Sequence, residues 1–118
     1  MIAESAIHTA LSPLVTGRVF PDVAPEGAAL PRIVYQQVGG QSVSYLDNAL
    51  ADKENGRIQV SCWANTRLAA IELSQLAEAA VASLLTVQAS PIGARVSIYE
   101  DDTRLYGCRI DFDVWSQR

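Results

Sequence analysis

The sequence predicts an α+β domain, an antiparallel or mixed sheet of about five strands with two helices packed on it, in the order α-β-β-β-α-β-β. Three stretches carry that expectation. Leu105 to Trp115 alternates strictly, with Tyr106, Cys108, Ile110, Phe112 and Val114 in one phase and Arg109, Asp111 and Asp113 in the other. Ile58, Val60 and Cys62 alternate in the same way against Arg57, Gln59, Ser61 and Trp63. Between these two stretches, apolar residues recur at helical spacing from Arg67 to Leu85.

Taken from the amino end, Ile2 to Leu11 gathers Ala3, Ala6, Ile7, Ala10 and Leu11 on one helical face, and Pro13 ends that helix. A short extended piece, Arg18-Val19-Phe20, follows Gly17, and Pro21, Pro25, Gly27 and Pro31 punctuate a loop. The β-branched and aromatic run Arg32 to Val38 is a strand that Gly39-Gly40 breaks. From 41 to 56 the pattern weakens, which predicts a mobile loop or hairpin arm projecting from a single domain that spans 1–118. Asn65-Thr66 offers the N-cap oxygen of the second helix, whose inward stripe is expected to be Ala69, Leu73, Leu76, Ala80 and Leu84, with Ser74 outward. Pro91 and Gly93 belong to a loop, and Asp101-Asp102-Thr103 joins the last two strands as a hairpin.

Composition narrows the function. A 49% apolar content supplies a core in a chain of 118 residues. Nine basic side chains against 13 acidic ones give a formal charge of −4, which does not attract phosphate backbones or an anionic membrane surface. Arg57, Arg67, Arg95, Arg104 and Arg109 are scattered singly, so neither specific nucleic-acid binding nor membrane binding is expected. Two free cysteines without a C-x-x-C pair, and an amino end without the basic start and apolar run of a signal peptide, fit a protein made in a reducing cytoplasm.

No residue set stands out for chemistry. His8, the one histidine, falls on the polar side of the first helix. Cys62 and Cys108 lie in the apolar phase of strands, where structural thiols are expected rather than nucleophiles. Asp101 and Asp102 suit a hairpin turn, and Asp111 and Asp113 share a strand face with Arg109, so no metal ligand set is assembled. Gly39-Gly40 lacks the lysine and following helix of a phosphate loop. A non-enzyme without catalytic residues, cofactor or metal is the expectation. What remains is adhesive surface: Trp63 and Trp115 in the polar phases of their strands, Leu68 and Ile71 off the helical stripe, and Tyr45 and Leu46 in the arm.

With the elements in order, the chain resembles the tail completion family of long-tailed phages and prophages, which includes tail terminator and tail-to-head joining proteins. The resembling segments are Leu11-Ser12-Pro13-Leu14-Val15, Gly17 to Pro21, Leu30 to Gly40, Ile58 to Ala64 with the helix carrying Ala69, Leu73 and Ala77, and Asp111 to Trp115. The resemblance implies a structural assembly protein, made in the host cytoplasm, that forms a hexameric ring and can do so only on the tail. It also implies a tail tube protein and a head connector protein as partners, and a place in the virion tail at the head-tail junction. The alternative from a different class is a small ligand- or peptide-binding α+β module, which needs a concave apolar pocket with convergent polar groups.

Overall fold

The computed structural model describes residues 2–43 and 52–118; Tyr45 and Leu46 lie outside the described residues. Helix α1 runs Ile2–Leu11 and continues into a 3-10 turn, Ser12–Val15, with Pro13 at its start. Strands β1 (Val19–Pro21), β2 (Arg32–Gln37) and β3 (Lys53–Ala64) follow, then α2 (Arg67–Ala82), and then β4 (Gln88–Pro91), β5 (Val96–Glu100) and β6 (Leu105–Gln117).

The result is a mixed six-stranded sheet, ordered β1-β2-β3-β6-β4 with β5 also on β6, and the α+β class holds. Among the described residues only β1 pairs in parallel, with β2; the other ladders are antiparallel. The long β3–β6 ladder is its spine, in register from Lys53–Gln117 to Ala64–Tyr106. β4 is a strand where the sequence suggested a loop, because Gln-Ala-Ser-Pro shows no alternation to mark it. β4 and β5 run along the same edge of β6 but are separated by a bulge. Residues 92–95 face only 110–111 of β6, between the pairs Pro91–Phe112 and Val96–Arg109.

Both helices cover one face of the sheet. Ile7 and Leu11 of α1, together with Leu73, Ala77 and Val81 of α2, pack against Ile33, Ile58, Val60, Ile110, Phe112 and Val114. Burying a side chain such as Phe112 contributes roughly 1.5–3 kcal/mol. Thr66 caps α2 as expected, its Oγ1 accepting from the Ala69 amide at 3.1 Å.

The inward stripe of α2 differs from the expected one. Ala70, Leu73, Ser74, Ala77 and Val81 are buried, while Ala69 and Leu76 are exposed. Ser74 sits inside because its hydroxyl donates to the Ile71 carbonyl at 2.7 Å, so burial leaves no unpaired polar group.

Of the expected arm, residues 53–56 are the first part of β3, and 44–51 fall outside the described residues. Past the end of β2 the two flanking segments stay together. The Val38 amide donates to the Arg57 carbonyl and the Arg57 amide to the Gly39 carbonyl, each at 2.8 Å. Gly40 allows this closeness, since a Cβ there would stand 2.6 Å from the Asn55 carbonyl oxygen.

Candidate assembly interface

The sheet face opposite the helices carries the polar phases of β2, β3 and β6, and both tryptophans lie on it, half-buried. Trp63 stands opposite Arg32 on one side and Gly107 on the other. Its ring lies over Gly107, where a Cβ would come within 2.8 Å of two ring carbons. Trp63, Val34 and Arg32 floor a groove of about 360 Å³, walled by Asp22, Val23 and Glu100. Trp115 is opposite Asn55 and Gln88, toward the other end of the sheet. It borders a smaller groove with Leu85, which is 98% exposed. The two tryptophans therefore share a face without forming one patch.

Between them the face is polar, and several of its side chains pair with one another. The Arg57 guanidinium meets Asp111 Oδ2 at 2.7 Å, and Gln59 donates to Asp111 Oδ1 at 3.2 Å. Arg57 thus fills the role expected of Arg109. Asn55 donates to Asp113 Oδ1 at 2.7 Å and accepts from the Gln41 amide at 2.8 Å, tying residue 41 to the sheet.

On the helix side, Leu68 is 65% exposed, whereas Ile71 packs against Ala64, Ala70 and Cys108. Leu68 is available for contact and Ile71 is mainly structural. Two apolar surfaces escaped the sequence reading. One is a groove beside α2 formed by Leu30, Pro31, Ala69 and Leu76. The other is the pair Tyr99 and Tyr106, whose ring centroids lie 5.0 Å apart. The pairing of these tyrosines was encoded in the hairpin spacing around residues 101–104, but only once the register was known.

The loop before β2 is pinned by arginines. Arg18 Nε donates to the Pro31 carbonyl at 2.8 Å and Arg32 Nη1 to the Ala28 carbonyl at 2.7 Å.

The histidine and the two cysteines have different partners. His8 meets Tyr35 edge-on at 5.8 Å. Cys62 and Cys108 are free, buried and directly opposite each other, and burial pushes the Cys62 thiol up to about 12. A thiol so displaced is protonated near neutral pH and is a poor nucleophile. Among the described residues no cluster of three or more His, Cys, Asp or Glu side chains is placed to hold a metal ion, and no helix is long and apolar enough to cross a membrane.

Among curated proteins none matches the sequence. Among solved structures, a chain from the virion of a native gene transfer agent (GTA) particle superposes with a TM-score of 0.60 at 14% identity, covering 98% of this chain and 94% of that one. At that identity the likeness is one of fold. The sequence profile of a family described as tail completion protein gp17 matches residues 3–117. With nearly the whole domain inside that match, the chain belongs to the tail completion protein gp17 family and is a structural protein of the phage tail.

Proposed function

We propose that this protein is a ring-forming tail terminator. Copies associate into a hexamer on the end of the tail tube, and the ring meets the head connector at the head-tail junction. The carrying observation is the family match over residues 3–117. The distribution of apolar surface supports it. One helix layer completes the core on one side of the sheet, while Leu68, Leu76, Tyr99 and Tyr106 remain exposed.

A closed ring needs two different patches on each subunit that fit one another at a fixed rotation. The net charge of −4 suits a ring through which nucleic acid passes without adhering.

The test is to add the purified protein to tail tubes and image the tube ends by negative-stain electron microscopy. Tubes of fixed length with a cap of sixfold symmetry are the expected result. A protein that stays monomeric at all concentrations and never binds or caps tubes would reject the proposal; monomers in isolation alone would not, if the ring forms on its template.

A further inference from the structure

The two edges of the sheet are finished differently. The Arg57 amide and carbonyl both bond toward the β2 side, and alternation along the paired strands then fixes which residues of every ladder point which way. At the β1 edge the outward residues are Val19 and Pro21. The Val19 amide donates to the Gly17 carbonyl at 2.9 Å, and the Pro21 carbonyl accepts from the Val23 amide at 2.7 Å. Pro21 has no N–H to offer. Little is left there for a further strand to bond.

The β5 edge is open. The same alternation turns the backbone groups of Val96, Ile98 and Glu100 toward β6, where they stand opposite Arg109, Gly107 and Leu105. It turns the amides and carbonyls of Ser97 and Tyr99 outward. Among the described residues none of these four groups has a hydrogen-bond partner beyond that ladder. Val96 and Tyr99 are 48% and 50% exposed, so the edge is apolar as well as unpaired. An edge of that kind invites another strand.

Its charges are segregated. Arg95 precedes the strand, and Glu100, Asp101 and Asp102 end it. All four are exposed, and none is in an ion pair with a described residue.

We infer that two copies of this chain pair antiparallel through β5, about a twofold axis at Ile98. The outward groups set the register. Ser97 of one copy stands opposite the partner's Tyr99, and the two exchange N–H to carbonyl bonds at both equivalent places. Ile98 then meets the partner's Ile98 on the axis, and Arg95 comes opposite the partner's Asp101. Charge complementarity selects a second copy as the occupant, because reversal brings the basic end of each strand onto the acidic end of the other. Parallel pairing in the matching register would set like charges side by side.

A contact that uses one patch on both copies closes at two. It therefore builds no part of a cyclic ring and does not rest on the ring reading; it belongs to the free protein, whose open edge it covers. Two five-residue strands bury far less than the roughly 800 Å² per partner of a stable complex, so the pair is weak and depends on concentration.

The test is sedimentation of the full chain at rising concentration and low salt, with amide exchange read alongside. A monomer–dimer equilibrium is expected, with the Ser97 and Tyr99 amides protected only where dimer is present. Arg95→Glu and Asp101→Arg should each weaken dimerisation about tenfold, and the two together should restore most of it. Ser97→Pro removes an outward N–H without touching the β6 ladder and should abolish the dimer. Matching far-UV circular dichroism confirms that each variant folds. A wild type that stays monomeric, or associates only into rings, overturns the inference. So does a dimer indifferent to Ser97→Pro and to the charge reversals. Protection of residues 97 and 99 that appears only when tail tubes are added gives this edge to a tube subunit instead, and also overturns it.

Discussion

Cys62 and Cys108 face each other across β3 and β6, both free, at 0% and 1% exposure. The thiolate is the species that reacts with alkylating reagents, and the closed core withholds both the reagent and the charge. The native protein is therefore expected to show almost no thiol reaction with Ellman's reagent near neutral pH, and two reactive thiols after unfolding in guanidinium. Rapid reaction of either cysteine in the folded protein would contradict this packing.

The same burial makes stability depend on alkaline pH. Cys62 is raised from 9.0 to about 12, by burial first and by Cys108 second. A raised value favours the fold fully below the unfolded value of 9.0, and that advantage is lost as pH climbs from there toward 12. Tyr35, raised by burial and by Glu4 and Asp22, acts in the same sense. Melting temperature should fall through this window, and Cys62→Ala should fall less steeply than the wild type. Identical slopes would remove Cys62 from the explanation.

How legible the fold was depends on how each element declares its inside. The alternation from Tyr106 to Val114 stated the phase of β6, and the structure keeps that phase throughout. In α2 the apolar arc was wide, so the pattern did not say which half meets the sheet; small residues, Ala70, Ser74 and Ala77, let the backbone approach, and Leu76 was displaced outward. The tryptophans were rightly placed opposite the core face, but phase alone did not reveal that Trp63 would lie on Gly107. The α2 groove was illegible because Leu30 and Ala69 are far apart in sequence and meet only through the β2–β3 pairing.

Thr66→Ala removes the oxygen that caps the Ala69 amide at the start of α2. The loss should be about 1 kcal/mol, within the usual range for an N-cap threonine. Urea denaturation measures it as a lowered midpoint at unchanged slope. Thr66→Ser retains the oxygen and should recover most of the difference.

Asn55 holds three partners at the base of the 41–56 segment: Asp113 Oδ1, the Val114 carbonyl and the Gln41 amide. It is only 9% exposed, so Asn55→Ala leaves those groups poorly compensated and should cost about 1–3 kcal/mol. Because Gln41 is released as well, amide exchange at residues 38–41 should quicken more than in the centre of β3. Uniform exchange along both segments would mean that Asn55 does not hold residue 41 against the start of β3.

Gly107 gives the Trp63 ring its seat. A Cβ at residue 107 would stand 2.8 Å from two carbons of that ring and 3.2 Å from Ile98 Cγ1. Gly107→Ala must therefore displace the indole. Half-exposed, Trp63 has room to tilt, which sets the cost at the lower end of the roughly 1–3 kcal/mol typical of overpacking. Near-UV circular dichroism of the tryptophans should change while far-UV ellipticity stays constant. Trp63→Leu removes the clash, so in a double-mutant cycle the alanine should cost clearly less in that background. Equal costs in the two backgrounds would show that the indole does not rest on Gly107.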